Sequence, residues 1–155
     1  MGIDETLADY VAVRERIEQG EASWTDLGRF FTDNVVYIDP AWGRVEGIDA
    51  LMEFFVESMT GLEDWRFPVD FVATSGDMAV IKWTQVLPGG RADGSAITQS
   101  GVSTLRYAGN GRFDYEEDLL NMTQVIEDVG VSDWRPTAEF NIPPPNPNRD
   151  WSRPS

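Results

Sequence analysis

The chain contains no cysteine and no histidine. Without thiols there is neither a disulfide framework nor a thiolate nucleophile. Without imidazole, the usual proton carrier near neutral pH and the commonest zinc ligand are both missing. Ser-His-Asp and Cys-His mechanisms are therefore excluded. Acid–base chemistry falls to carboxylates, or to Tyr, Lys or Arg held in unusual surroundings. Basic residues are scarce too: 12 Lys and Arg stand against 27 Asp and Glu, for a net charge of −15. Such a surface repels phosphate backbones and anionic headgroups, which argues against nucleic acid and membrane partners. No apolar run approaches the ~20 residues of a membrane span. The N-terminal stretch MGIDETLADY has neither the basic nor the apolar segment of a secretion signal. A cytoplasmic location is expected.

Aromatic side chains, by contrast, are plentiful, with six Trp, eight Phe and four Tyr in 155 residues. That length suits one domain. A core uses some of these aromatics, and a pocket for a flat apolar ligand would use others.

Apolar spacing predicts an amphipathic helix over 4–20, with Leu7, Tyr10, Val11, Arg14 and Ile17 on one stripe and Gly20 as its stop. A short helix over 23–32 follows, with Ser23 and Asp26 spaced as a capping box. Residues 35–40 read as a strand ended by Pro40, and 41–47 as a loop or tight hairpin. A third helix is expected over 48–60. Strands then follow over 65–74, 78–87, 95–108 and 112–117, with hairpin chemistry at Gly109-Asn110-Gly111. Along the first of these, Trp65, Phe67, Val69 and Phe71 are expected on one face. Asp118 to Val129 read as a C-terminal helix.

A domain over 1–133 is thus followed by a proline-rich extended tail over 134–155. Trp134, Phe140 and Trp151 favour docking of this tail, on its own domain or on a partner. The element order implies an α+β fold: a cone-shaped, curved antiparallel sheet packed against three N-terminal helices.

The segment Phe31-Thr32-Asp33-Asn34-Val35-Val36-Tyr37-Ile38-Asp39-Pro40, with Gly47 opening Ile48-Asp49-Ala50-Leu51 and a later Gly109-Asn110-Gly111-Arg112, resembles the SnoaL-like and ketosteroid-isomerase-like branches of the nuclear-transport-factor-2-like superfamily. The resemblance implies a conical pocket, a homodimer through the sheet face, and one of several outcomes. Isomerisation, polyketide cyclisation, dehydration, epoxide hydrolysis and non-catalytic binding all occur on this fold. It places Asp39 where the isomerases hold their catalytic base, and Asp118 where SnoaL-like cyclases have an acidic residue. The isomerases also use a Tyr and a protonated Asp as oxyanion donors. Here Ser103-Thr104-Leu105-Arg106 has no Asp at the corresponding strand, and Tyr10 lies one turn before the position expected for the Tyr.

From the residues themselves, alternation sets Val35, Tyr37 and Asp39 on one strand face, so Asp39 shares an apolar wall that would raise its proton affinity. Asp118, read as preceding a helix, could equally be an N-cap. Only one of Glu116 and Glu117 can face a cavity, and a bulge would decide which. Arg14, among apolar neighbours, needs a carboxylate such as Asp39 or Asp118, or an anionic ligand group. Tyr37, Trp42, Trp65 and Trp83 with Tyr10 could form an aromatic cage. Phe54 and Phe55 are adjacent, so only one, Phe55, is expected to point inward. Gln99 and Ser103 share a strand face and could bond a ligand.

Two readings follow. In the first, Asp39 is the base of a cofactor- and metal-independent enzyme acting on an apolar polycyclic or polyketide-like molecule, with Tyr10 or Tyr37 as donor and Asp118 as a further carboxyl. In the second, the cone is a hydrophobic-metabolite-binding or protein-interaction module.

Overall fold

The computed structural model describes residues 1–154. Helix α1, Ile3–Glu18, buries Leu7, Tyr10, Val13 and Arg14 along one stripe. A 3₁₀ helix, Trp24–Phe30, replaces the expected α-helix, and the Ser23 N–H donates to the Asp26 carboxylate at 2.9 Å as its cap. Strands β1, Phe31–Asp39, and β2, Gly43–Glu46, form a hairpin that leads into α2, Ile48–Met59. A meander of β3, Val69–Ser75, β4, Met78–Val86, β5, Thr98–Gly109, and β6, Arg112–Leu120, precedes α3, Met122–Val131.

The sheet order is β2-β1-β6-β5-β4-β3. It is mixed rather than antiparallel, because β1 and β6 run parallel. The reason is topological: the meander brings its last strand back beside the first, running the same way. The sheet's inner face packs against α1, the 3₁₀ helix and α2 around Leu7, Phe31, Leu51, Ile81, Leu105 and Phe113, all at most 2% exposed.

Two boundaries depart from the sequence reading. The strand expected over 65–74 is a ladder only from Val69, preceded by a single bridge at Arg66. Pro68, without an N–H, interrupts the pairing. Register then shifts between Val69 and Phe71, which turns Phe71 outward to 60% exposure, away from the face of Trp65 and Phe67. At the other end β6 runs on to Leu120, and Asn121, not Asp118, caps α3 by accepting from the Gln124 N–H.

The tail lies on its own domain. Trp134 packs edge-on against Trp65, with Phe140 against Trp134. The Asn141 side-chain amide donates to the Glu57 carbonyl at 3.0 Å. The Arg44 N–H reaches the Asn148 carbonyl at 2.8 Å. On the outer sheet face, the Tyr115 hydroxyl donates to the Trp151 carbonyl and Arg106 to that of Pro154. Among the described residues no helix is long and apolar enough to cross a membrane.

Candidate functional site

The site is set by one extra residue in β6. Tyr107 pairs with Phe113 and Arg106 with Tyr115, so Asp114 is left over as a bulge, held by its ion pair with Arg106 at 2.7 Å. Strand alternation alone would give Phe113, Tyr115 and Glu117 one face. The bulge resets the phase. Phe113 enters the main core while Tyr115 joins Val36 and Ile38 in a separate cluster. Glu116 and Asp118 consequently turn inward, and Glu116 is 1% exposed.

Each inward carboxyl has dedicated donors. The Tyr10 hydroxyl donates to Glu116 Oε1 at 2.7 Å. Asp118 accepts from the Tyr37 hydroxyl on Oδ2 at 2.5 Å and from Ser103 Oγ on Oδ1 at 2.6 Å. Ser103 in turn accepts from Trp83 Nε1 at 2.9 Å. That last bond depends on Gly101, the cross-strand partner of Trp83. A Cβ there would come within 2.6 Å of the indole, so only glycine lets the ring lie flat and aim its N–H at Ser103.

Burial pushes Asp118 well above the usual carboxylate range, reinforced by the charge and hydrogen bond of Glu116 and opposed by Ser103 and Tyr37. The Glu116 charge, on the same inner face of β6, thus favours the protonated form of Asp118. Burial first, and the neighbouring carboxyls second, raise both Tyr10 and Tyr37, which therefore stay protonated donors.

Asp39 ends β1, and Pro40 folds the chain back so that the Ala41 and Trp42 N–H groups both reach its Oδ2, at 2.9 and 2.8 Å. No described residue bonds its Oδ1. Its carboxyl is pushed up to about 6, chiefly by burial and also by the Asp118 charge, against the pull of those two amides.

These groups edge a cavity of about 180 Å³. Of the residues singled out in the sequence, Asp39, Asp118, Arg14, Tyr37, Trp42, Phe55 and Trp83 line it. Tyr10, Gln99 and Ser103 do not line it; they stand behind it and hold residues in position. Trp65 is elsewhere, beside a second hollow with Trp24 and Phe67. Phe54 lines the cavity together with Phe55, against expectation. Consecutive helical residues differ by about 100°, not the half-turn of a strand, and the two rings straddle Tyr37 at 5.4 and 5.7 Å.

Arg14 departs most from expectation. It is 4% exposed, yet pairs with no carboxylate among the described residues. Its Nη2 donates to the Phe67 carbonyl at 2.9 Å, its guanidinium lies over Trp24, and its Nε has no partner.

Sequence reasoning missed Gln85, Phe140 and Pro143 in the lining, and of the pair it left open, Glu116 and Glu117, the bulge turns Glu116 inward. Gln85 carried a signal, since it shares the phase of Ala79, Ile81 and Trp83, all buried. No group of three or more potential metal-ligating side chains occurs among the described residues.

Residues 9–115 match the family model of the SnoaL-like domain. No curated protein shows a significant match. Among solved structures, the chain is similar to a "putative SnoaL-like polyketide cyclase" of Jannaschia sp. CCS1, at 16% identity and TM-score 0.63 over 84% of this chain and 94% of that one. TerC, co-crystallized with polyporic acid, aligns at 16% identity and TM-score 0.60 over 81% and 98%. An NTF2-like protein of unknown function from Burkholderia pseudomallei K96243 aligns at 18% identity and TM-score 0.59 over 84% and 96%. At such identities the likeness carries the fold.

Proposed function

This chain belongs to the SnoaL-like domain family, and we propose that it is an acid–base enzyme of the cyclase or isomerase type, acting on an apolar, oxygen-bearing small molecule held in the cavity. One observation carries the proposal. Two carboxyls line one cavity and hold different hydrogen bonds: Asp39 keeps Oδ1 free of any described partner, whereas Asp118 is held on both oxygens by Tyr37 and Ser103. The open oxygen suits Asp39 to the role of base, and burial, which favours the protonated form of Asp118, suits that group to the role of acid.

In this scheme the unbonded Oδ1 of Asp39 takes a proton from carbon beside a carbonyl. The electron pair moves onto the carbonyl oxygen, which receives a hydrogen bond or a proton from Asp118. The Glu116 charge favours the protonated form of Asp118 from behind, and Tyr37 and Ser103 fix its plane. The aromatic walls exclude water and strengthen both effects.

The test uses polyporic acid, steroid ketones and polyketide-like aromatic ketones as probes, with wild type compared against Asp39→Asn and Asp118→Asn. Binding retained in Asp39→Asn, with turnover lost by about 10²-fold or more, is the expected result. Turnover unchanged in that variant removes Asp39 from the chemistry. A second reading, a binding module on the same fold, is favoured by the two backbone amides on Asp39 Oδ2. It predicts binding without turnover of any probe.

A further inference from the structure

We propose that Gln85 is a specificity-determining residue that shows the cavity a hydrogen-bond acceptor, so that the molecule selected there carries a hydroxyl at that end. The inference rests on the reading of this cavity as a ligand site, and deepens it.

Three polar side chains, each at least nine-tenths buried, stand in line: Gln85, Gln99 and Asp128, at 5, 2 and 8% exposure. Gln85 and Gln99 lie directly opposite across β4 and β5. The Gln85 amide nitrogen donates to Gln99 Oε1 at 2.8 Å. The Gln99 amide nitrogen donates to Asp128 Oδ2 at 2.8 Å. The other oxygen of Asp128 faces Arg91 Nη2 at 3.5 Å.

A glutamine amide has nearly the same shape with oxygen and nitrogen exchanged, so neither Gln alone has a fixed polarity. The carboxylate at the end of the row fixes both. It accepts and does not donate, so Gln99 must turn its NH₂ to Asp128 and its carbonyl to Gln85. Gln85 must then turn its NH₂ to Gln99. Reversing either amide sets two oxygens against each other in a buried place.

What is left over is the Gln85 carbonyl. It accepts from no described residue, and Gln85 is the one member of the row that lines the cavity. A hydroxyl on the ligand satisfies it, whereas an ether or carbonyl oxygen meets it lone pair to lone pair. Gln99 and Asp128 are thus positioning residues that act through Gln85. With Asp118 supplying a proton at its own wall, the matching substrate class is a hydroxylated aromatic or polycyclic ketone.

The experiment is isothermal titration calorimetry with 2-naphthol and its methyl ether, 2-methoxynaphthalene. It uses the full chain, Asp128→Asn and Gln85→Leu, with folding checked by circular dichroism. Wild type is expected to prefer the naphthol by about tenfold or more, the worth of one well-placed hydrogen bond. Asn at 128 can donate, which frees Gln99 and Gln85 to turn over, so the preference should fall to within about threefold although the change lies outside the cavity. Gln85→Leu should abolish it. Loss of preference in both variants, or in Gln85→Leu alone if Asp128→Asn does not fold, supports the proposal. Full preference in a folded Asp128→Asn overturns the relay. Equal binding of both probes by wild type overturns the inference and leaves the cavity reading standing. Binding of neither probe overturns both.

Discussion

Replacing Asp39 by Asn should make the protein more stable near neutral pH while removing the proposed base. The folded chain raises this carboxyl from 3.8 to about 6, mainly by burial. In the unfolded chain it titrates near its ordinary value. Between those two values the folded state binds more protons than the unfolded state, so stability falls as pH rises. Each pKa unit is worth about 1.4 kcal/mol, which makes the loss about 3 kcal/mol once pH exceeds about 7. It is absent below about pH 3, where Asp39 is protonated in both states. Asn keeps a carbonyl oxygen for the Ala41 and Trp42 amides and carries no charge to desolvate. The difference in unfolding free energy between variant and wild type should therefore climb from about 0.5 kcal/mol at pH 4 to about 2–3 kcal/mol in favour of the variant at pH 7.5. Urea unfolding followed by tryptophan fluorescence at pH 4, 5, 6 and 7.5 measures it. A difference flat across that range, or a variant less stable at pH 7.5, refutes the burial argument. Stability gained where activity is lost is the pattern of a strained functional group.

Tyr10→Phe leaves the buried Glu116 without its donor, and should cost about 1.5–3 kcal/mol in urea unfolding. Adding Glu116→Leu should recover at least ~1 kcal/mol of that cost in a double-mutant cycle, and strict additivity would contradict the contact. Arg14→Met removes a buried guanidinium that has no carboxylate partner among the described residues, so its stability should stay within about 1 kcal/mol of wild type or rise; a loss of about 3–5 kcal/mol would reveal an ion pair. Phe140→Ala should cost about 1–3 kcal/mol and hasten proteolysis beyond Trp134, because this ring holds the tail against Gly61 and Trp134. Unchanged cleavage would show that other tail contacts suffice.

The fold was largely legible because its signals are local. Helical spacing marked α1 and α2, alternation marked β4 and β5, and the Gly109-Asn110-Gly111 turn joined β5 to β6, with Asn110 in the left-handed region at φ 55°. Asp39 was legible as well, since its wall follows from the alternation of β1 and its turn from Pro40. Asp118 was named, but its setting was not foreseen, because which face β6 shows depends on the bulge at Asp114. A bulge is selected by the pairing of two strands, not by either sequence alone. Phe71 failed for the same reason, one slipped register reversing its face. The parallel β1–β6 pair joins the two ends of the sheet's connectivity, and no short stretch encodes it. Phe140 and Pro143 reach the cavity only because the tail folds back, which composition left open.

What the sequence does not show is the ordering of polar groups by depth, and that ordering bears most directly on function. Behind the cavity wall hydrogen-bonding capacity is used up. Gln99 donates and accepts, Ser103 donates and accepts, and the Tyr10 hydroxyl is spent on Glu116. At the wall, capacity is left over in the Oδ1 of Asp39, the carbonyl of Gln85 and the guanidinium of Arg14. A core selected for stability alone would show no such gradient, because an unmatched buried polar atom costs as much in the second layer as in the first. Trp65 Nε1, also unmatched, sits beside a different hollow, so the cost is not confined to one cavity. In the main cavity, however, the open valences converge from β1, β4 and α1 on one apolar space. A ligand carrying complementary oxygens would satisfy them together, and the spent groups behind would keep each open atom from turning away.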